Sequence, residues 1–320
     1  MMLEKGLNII RKIVGGHPEN WFRGGMELIA NESANALIRQ GLSSNNPFMV
    51  ARLGSVEIKP LLFHKILSTR SFIDKCYLYV KGDCDYVLNA DKYQEYMTDI
   101  MCTNAGFFPH ESSSLLDFAD LMSRDVSEID LCGCWLNEKL LQETFSNGCH
   151  FCQLGALEPY DYIEPWTMSL KGKKVLVIHP FAKSIESQYR SRESLWENKN
   201  VLPDFELKTI QAVQSIAGSA TCFGDWFEAL NYMKEKMDGM EYDVALIGCG
   251  AYGLPLAAHA KRQGKKAVHL GGPLQILFGI KGKRWDNIPS VSRFYNENWI
   301  RPATEETPVG KTEVEGGCYW

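Results

Sequence analysis

A chain of 320 residues is long enough for one large domain or two modest ones, and either could bury a sizeable core. Hydrophobic residues make up 45% and charged residues 23%, as in an ordinary globular protein, and no apolar run reaches the roughly 18 residues that span a bilayer. The net charge of −5 argues against a dedicated nucleic-acid-binding protein, which usually has a basic excess.

The first residues lack the apolar core and the cleavage site of a signal peptide, so we expect a cytoplasmic protein. Trp21, Phe22 and Arg23 leave a peripheral position on the inner face of the membrane open as an alternative.

The ten cysteines are expected to be reduced thiols, because they are scattered through a large chain without a signal peptide. Two close pairs, Cys132 with Cys134 and Cys149 with Cys152, fit buried strands. A structural zinc site is the alternative for these pairs.

In chain order, residues 1–44 form a mostly helical segment, which Asn45, Asn46 and Pro47 separate from the rest. Short apolar strands are predicted at 48–53, 129–135, 149–154, 173–179, 205–213, 242–247 and 266–270. Helices are predicted at 91–102, 115–122, 137–145, 184–196, 225–237 and 254–263. This alternation predicts an α/β, Rossmann-like domain over residues 45–300, with a mostly parallel sheet and helices on both faces. Residues 301–320 are a polar tail, either packed on the domain or disordered.

Residues 248–253 read Gly-Cys-Gly-Ala-Tyr-Gly and connect a predicted strand to a predicted helix, a context typical of phosphate binding. The candidate ligand contacts here are Gly248, Gly250, Ala251, Tyr252 and Gly253. A dinucleotide site also needs a carboxylate at the end of the next strand, but that strand ends His-Leu-Gly-Gly. A phosphate or nucleotide-sugar site is therefore favoured, and an NAD(P)-dependent oxidoreductase and a plain tight turn stay open.

The segment that follows, residues 271–285, combines glycines with basic residues after a strand, which suits a diphosphate. Its candidate residues are Gly271, Gly272, Gln275, Lys281, Lys283 and Arg284. A solvated run of charges is the alternative.

A third motif, Arg-Leu-Gly-Ser-Val-Glu at residues 52–57, follows the strand at 48–53. Arg52, Gly54, Ser55 and Glu57 could hold a phosphate, a divalent ion or a sugar hydroxyl, or they could simply begin a helix with a surface ion pair. Two isolated residues, Asn104 in a loop and His179 at a strand end, could contact the same ligand.

The segment 52–57 resembles the R-x-G-D-G-E segment of the GT-D glycosyltransferases, and residues 243–253 and 269–272 are similar to the C-terminal strand, turn, helix and strand of that group. The resemblance covers residues 45–285. It implies a GT-D-like variant of the Rossmann fold and an enzyme that moves a sugar from a nucleotide diphosphate donor to a saccharide or lipid-linked acceptor, and the expected donor is a UDP-sugar. The implied setting is bacterial surface polysaccharide or glycoprotein assembly, and a homo-oligomer is compatible with it.

The group's D-x-E motif falls on residues 55–57, so the resemblance implies that Glu57 binds Mn²⁺ or Mg²⁺ or serves as the acceptor base, with Arg52 beside it. Ser55 stands where the group has aspartate, and a serine is a poor ligand for a hard cation. The metal could be held by Glu57 and the diphosphate alone, or its role could pass to Lys281, Lys283 or Arg284. Because Ser55 replaces the aspartate of the group, a non-catalytic protein that binds a nucleotide sugar stays open as an alternative.

Overall fold

A computed structural model describes residues 2–14, 26–67, 71–82, 90–136 and 138–320. Its centre is an eight-stranded sheet in which every strand pairing is parallel, in the order β1-β4-β3-β2-β8-β7-β5-β6. The strands are β1 Leu28–Ile29, β2 Phe48–Arg52, β3 Leu131–Cys134, β4 His150–Gln153, β5 Lys174–His179, β6 Glu206–Gln211, β7 Val244–Ile247 and β8 Lys266–His269. The predicted α/β fold with a parallel sheet is confirmed.

Helices cover both faces of this sheet, as predicted. They are α1 Met2–Val14, α2 Asn31–Ser43, α3 Ile58–Leu62, α4 Phe72–Lys81, α5 Ala90–Asn104, α6 Ser114–Val126, α7 Ala182–Arg190, α8 Trp226–Asp238, α9 Gly253–Arg262, α10 Pro273–Leu277, α11 Lys283–Asp286 and α12 Pro289–Ser292. Side chains of α5, α6, α8 and α9 pack on one face, and side chains of α2, α7 and α10 pack on the other.

The central strands are apolar on both sides because each side faces a layer of helices. In β2, Met49 and Ala51 belong to one core, and Phe48 and Val50 belong to the other. The same alternation holds in β5 and β7, so successive side chains along each strand enter opposite cores.

Two predicted elements differ from the structure. Residues 28 and 29 form the edge strand β1 instead of the start of a helix, because they pair with β4 through Phe151 and Cys152. The helix predicted at 137–145 is a 3₁₀ helix over Glu138–Thr144, and Asn137 lies outside the described residues. Trp21, Phe22 and Arg23 also lie outside them.

The prediction of buried strand positions holds for three of the four paired cysteines, because Cys149 precedes β4 and is half-buried. Cys132, Cys134 and Cys152 are buried, and burial raises the pKa of Cys152 to about 12. These buried side chains pack as small apolar groups.

The C-terminal tail is packed on the domain, which decides between the two alternatives for residues 301–320. Glu306 is buried at the start of α7, where its carboxylate accepts hydrogen bonds from the backbone N–H groups of Lys183 at 2.7 Å and Ser184 at 3.2 Å. A carboxylate at this position is stabilised by the free N–H groups and the dipole of the helix. Within the described residues, none of the helices is both long and apolar enough to cross a membrane.

Candidate functional site

A cavity of about 560 Å³ opens at the carboxyl ends of six neighbouring strands, β3, β2, β8, β7, β5 and β6. Each strand contributes a lining residue at or just after its last position; in strand order these are Trp135, Arg52, His269, Gly248, His179 and Val213. The carboxyl edge of an open parallel sheet is where α/β proteins bind their ligands.

Arg52 presents a guanidinium without a direct ion pair at this cavity. Its guanidinium donates to the carbonyl of Leu53 from Nη2 at 3.2 Å and lies 4.9 Å from the centre of the Trp135 ring. Across the described part of the chain, Arg52 has no carboxylate within ion-pair distance. Burial lowers the pKa of Arg52, an effect that nearby Glu57 opposes. An arginine that is held in place but lacks an acidic partner is suited to bind an anion.

Glu57 lies in the turn that follows β2, and its carboxylate folds back over the backbone of Gly54. A Cβ atom added at Gly54 would be 1.9 Å from Oε2 of Glu57, so only glycine leaves this space. Burial raises the pKa of Glu57, and Arg52 partly offsets that rise. A carboxylate with a raised pKa is a stronger base than one in water. Ser55 lines the same side of the cavity.

Two neutral histidines line the cavity. Burial lowers the pKa of both His179 and His269 to about 3, and the positive charge of Arg52 contributes at His269. The backbone N–H of Phe181 donates to Nδ1 of His179 at 3.0 Å, which places the ring proton on Nε2. Nδ1 of His269 lies 3.3 Å from the carbonyl of Ile247, which leaves its Nε2 as an acceptor. The two rings therefore offer one donor and one acceptor without adding charge.

The glycine-rich turn at 248–253 is explained in part by packing. A Cβ atom at Gly253 would come within 2.1 Å of the His269 ring, so this glycine lets α9 approach β8 closely. Gly248, Gly250 and Tyr252 line the cavity, whereas Ala251 and Gly253 do not. The Tyr252 hydroxyl lies 3.1 Å from that of Ser215, far from it in sequence.

The C-terminal tail forms the opposite wall of the cavity, with Val314, Glu315, Tyr319 and Trp320. The Tyr319 ring lies over Gly272, where an added Cβ atom would be 2.8 Å from it. Backbone hydrogen bonds join Lys283 N–H to the Trp320 carbonyl at 3.3 Å and Arg284 N–H to the Cys318 carbonyl at 2.9 Å.

Arg284 is the second arginine at the cavity, but its charge is already paired. Its guanidinium forms an ion pair with Glu315 and lies 4.9 Å from the centre of the Tyr319 ring. The two arginines of the site therefore differ: Arg52 is open to an anion, and Arg284 becomes open only when Glu315 moves.

Gln275 adds a neutral polar group to the lining. Its amide nitrogen donates to the carbonyls of Ile280 at 3.3 Å and Tyr319 at 3.1 Å. Its buried Oε1 atom has no partner among the described residues, so it can accept a hydrogen bond from a ligand.

Most of the predicted residues, from the three motifs and the two isolated positions, meet at this cavity. Those that line it are Arg52, Gly54, Ser55, Glu57, Asn104, His179, Gly248, Gly250, Tyr252, Gly271, Gly272, Gln275 and Arg284. The motifs are far apart in sequence, and the parallel sheet brings them together because it collects the carboxyl ends of its strands at one edge.

Lys281 and Lys283 were predicted to bind a diphosphate, but the structure places neither at the cavity. The ammonium group of Lys281 lies 5.3 Å from the centre of the Tyr295 ring, and that of Lys283 donates to the Gly316 carbonyl at 3.1 Å. Lys281 directly follows Ile280, which pairs with Ile300, and Lys283 begins α11. Of the three basic residues in this stretch, only Arg284 reaches the lining.

Several lining residues were missed from the sequence. They include Trp135, Phe181, Val213, Ser215, His269, Glu315, Tyr319 and Trp320. Trp135, Val213 and His269 lie at or next to the last residue of a predicted strand and Phe181 follows one, so the rule that ligands bind at strand ends could have found them. The tail residues give no comparable signal, because their position depends on contacts with α11.

The residues present do not form a cage for a divalent metal ion. Within the described ranges, no three His, Cys, Asp or Glu side chains come together in a way that could hold one. Glu57 and Glu315 are the carboxylates at the cavity, and Glu315 is paired with Arg284. Because Ca²⁺ and Mg²⁺ take about six or more oxygen ligands, we derive no step through a metal, and the Mn²⁺ or Mg²⁺ requirement stays a prediction.

Comparison with known proteins gives two structural likenesses. No protein-family model matches the chain, and no curated protein matches it. A solved structure of the domain of unknown function 1792, described as having a distinct glycosyltransferase fold, is similar over 93% of this chain and 95% of its own, with 11% identity and a TM-score of 0.39. A selenomethionine form of that domain is similar over 83% of this chain and 82% of its own, with 11% identity and a TM-score of 0.37.

Proposed function

We propose that this chain is a glycosyltransferase that moves a sugar from a nucleoside diphosphate donor, such as a UDP-sugar, to a saccharide or lipid-linked acceptor in polysaccharide assembly. The observation that carries the proposal is the guanidinium of Arg52, which lies at a cavity of about 560 Å³ and lacks an acidic partner in the described chain. A diphosphate supplies the missing negative charge and is small enough to enter with its sugar.

The proposed reaction uses two groups, Arg52 at the end of β2 and Glu57 in the turn that follows it. The acceptor hydroxyl oxygen attacks the anomeric carbon of the donor sugar, and the bond from that carbon to the diphosphate oxygen breaks. Glu57 takes the proton of the acceptor hydroxyl, a role that its raised pKa favours. Arg52 stabilises the negative charge that develops on the departing diphosphate.

Aromatic walls support a donor that carries a base and a sugar ring. Trp135, Phe181, Tyr319 and Trp320 line the cavity on the sheet side and on the tail side. Flat aromatic faces bind bases and sugar rings by stacking and by burying apolar surface. Neutral His179 and His269 can give directional hydrogen bonds without attracting a further anion.

A thermal-shift screen with UDP-sugars, other nucleoside diphosphate sugars and NADH tests the ligand class. A donor present at 100 times its dissociation constant should add about 2.7 kcal/mol to the free energy of unfolding. We expect UDP and at least one UDP-sugar to raise the melting temperature and NADH to have no effect. Stabilisation by NADH alone would favour the oxidoreductase alternative. Parallel runs with Mn²⁺ and with EDTA report whether donor binding needs a metal.

Exchange of Glu57 for Gln tests the role of the base. We expect the rate of sugar transfer to fall by about 10² to 10⁴-fold, because an amide cannot accept the proton. UDP affinity should stay close to that of the wild type. Glu297→Gln, at an exposed position, is the matched control and should leave transfer unchanged.

Near-normal turnover of Glu57→Gln would remove Glu57 from the mechanism. A wild-type protein that binds UDP-sugars tightly, but neither transfers nor hydrolyses the sugar with any acceptor tried, would instead be the non-catalytic binder.

A further inference from the structure

Helices α1 and α4 expose an unusual amount of apolar surface for neighbouring helices. We define this apolar patch as Leu3, Ile9, Ile10, Ile13 and Val14 of α1, each of which is between 45% and 78% exposed; Phe72, Ile73 and Tyr77 of the neighbouring helix α4 are also exposed. Elsewhere in the described chain, exposed apolar side chains such as Ile163 and Val309 are scattered. Contiguous exposed apolar surface marks an interaction site.

The contacts of α1 explain which of its faces is exposed. Its inner face packs on α4, where Leu7 is buried, the Tyr79 hydroxyl donates to Asn8, and the Arg11 guanidinium lies 4.8 Å from the Tyr79 ring centre. Helical spacing places Ile9 and Ile13 on the face opposite Leu7, whereas Leu3, Ile10 and Val14 lie along the edge of the packed face and are still 45% to 61% exposed. The helix is thus fixed to the domain by one face and presents an apolar stripe on the other.

Basic side chains border this stripe. Lys5 and Lys12 lie four residues before and three residues after Ile9, which puts both on its side of the helix, and both are exposed. Together α1 and α4 carry five basic residues and two acidic ones, although the whole chain has a net charge of −5. The positive charge is therefore concentrated where the apolar side chains are exposed.

We propose that the apolar patch is a docking surface for an anionic lipid bilayer. The outer face of α1 would lie in the plane of the interface, with Ile9, Ile10 and Ile13 in the boundary between headgroups and acyl chains. Lys5 and Lys12 would contact lipid phosphates. Apolar side chains and border lysines on one helix are the combination that binds helices to membrane surfaces without crossing them.

Charge argues against a second copy of this chain as the occupant. Two copies that met through the same patch would bring their own Lys5 and Lys12 side chains together, and like charges repel. An anionic surface removes that repulsion. The docking surface does not include the cavity, so the inference stands or falls independently of the sugar-transfer proposal.

Co-sedimentation with vesicles tests this inference. The full chain should bind vesicles of equimolar phosphatidylglycerol and phosphatidylcholine and should not bind vesicles of phosphatidylcholine alone. The double variant Ile9→Asn, Ile13→Asn should lose at least about tenfold in affinity, because both side chains leave the apolar phase. Lys5→Glu, Lys12→Glu should also lose affinity, and raised salt should weaken wild-type binding.

The matched control is Ile163→Asn, Val309→Asn, which changes two apolar side chains that are at least as exposed but lie outside the patch. It should bind vesicles as the wild type does. All variants should keep the wild-type melting temperature and the wild-type response to UDP, which shows that they fold.

Three results would overturn the proposal. The first is a wild-type chain that does not bind anionic vesicles. The second is equal binding to both vesicle types. The third is wild-type self-association in sedimentation velocity that Ile9→Asn, Ile13→Asn abolishes without any change in vesicle binding; this would assign the patch to a second copy.

Discussion

The two walls of the cavity are built in different ways. The sheet wall consists of residues at the ends of buried parallel strands, such as Arg52, His179 and His269, whose positions are fixed by the core on both faces. The tail wall consists of residues 314–320, held by backbone hydrogen bonds to α11 and by the pair of Arg284 with Glu315. Arg284 and Glu315 are 34% and 43% exposed, so water screens their attraction.

Because of this difference, the two walls have different roles in ligand binding. The sheet wall offers a fixed, unpaired cation and two neutral histidines, which makes it the part that can bind a diphosphate. The tail wall presents a carboxylate that already neutralises its own arginine, so a bound anion would have to compete with Glu315 for Arg284.

The largest effect should come from acidifying the sheet wall. The folded-state pKa of His179 and of His269 is about 3, below the unfolded value of about 6.5. Both rings are therefore neutral in the folded and the unfolded chain at neutral pH and have no effect on stability there. As the pH falls below 6.5 the unfolded chain binds protons that the folded chain does not, so the free energy of unfolding decreases. At pH 5 each should cost about 2 kcal/mol of the free energy of unfolding. Glu57 and Glu138, whose pKa values burial raises, oppose part of this loss.

Urea denaturation at pH 7 and pH 5 measures this effect. The double variant His179→Asn, His269→Asn should lose less stability between the two pH values than the wild type does. Exposed His110, whose hydrogen bond with Asp99 raises its pKa, provides the control: His110→Asn should not reduce the loss. An equal loss in the wild type and the double variant would mean that the two rings are not held neutral.

A smaller effect, confined to activity, should follow from Gly54→Ala. The new Cβ atom would occupy the position of the Glu57 carboxylate, and that flexible side chain can swing away without disturbing the backbone. We expect sugar transfer to fall about tenfold or more, as for a displaced catalytic group, with the urea midpoint unchanged. Gly155→Ala, with open space at its Cβ position, is the matched control. Unchanged transfer in Gly54→Ala would contradict the placement of Glu57.

The smallest effect should come from the tail wall. Glu315→Gln removes the charge that competes for Arg284, so UDP affinity should rise, by about fivefold at most for a partly exposed ion pair. Isothermal titration at low salt measures it, with exposed Glu313→Gln as the control on the same segment. A fall in affinity would mean that the tail wall supports the ligand rather than competing with it.

The two walls also differ in how far they could be predicted. The order of strands and helices, and the lining residues Arg52, His179, Gly248 and Gly271, follow from apolar strands that end at polar or glycine positions. The positions of strand ends can be read from short stretches of sequence. Because ligands of α/β proteins bind at the carboxyl ends of the strands, these positions predict the site.

The tail wall could not be predicted in this way. The chain there runs through Glu315, Gly316 and Gly317 with φ values of 47°, 69° and 81°, and its course over Gly272 depends on tertiary contacts. Lys281 and Lys283 were predicted to bind the ligand although they lie outside the cavity, because a basic run in the sequence does not reveal which of its side chains faces the cavity. Only Arg284 does so.

Equilibrium binding of UDP and of uridine to the wild type and to Arg52→Ala tests the central claim, that the sheet wall binds a diphosphate through Arg52. The wild type should bind UDP about 10²-fold or more tightly than uridine, because a buried charge-assisted contact is worth about 2–5 kcal/mol. Arg52→Ala should lose most of that difference while its affinity for uridine stays similar, and the exposed control Arg293→Ala should keep it. Equal affinity of the wild type for UDP and uridine, or an undiminished preference for UDP in Arg52→Ala, would contradict the account.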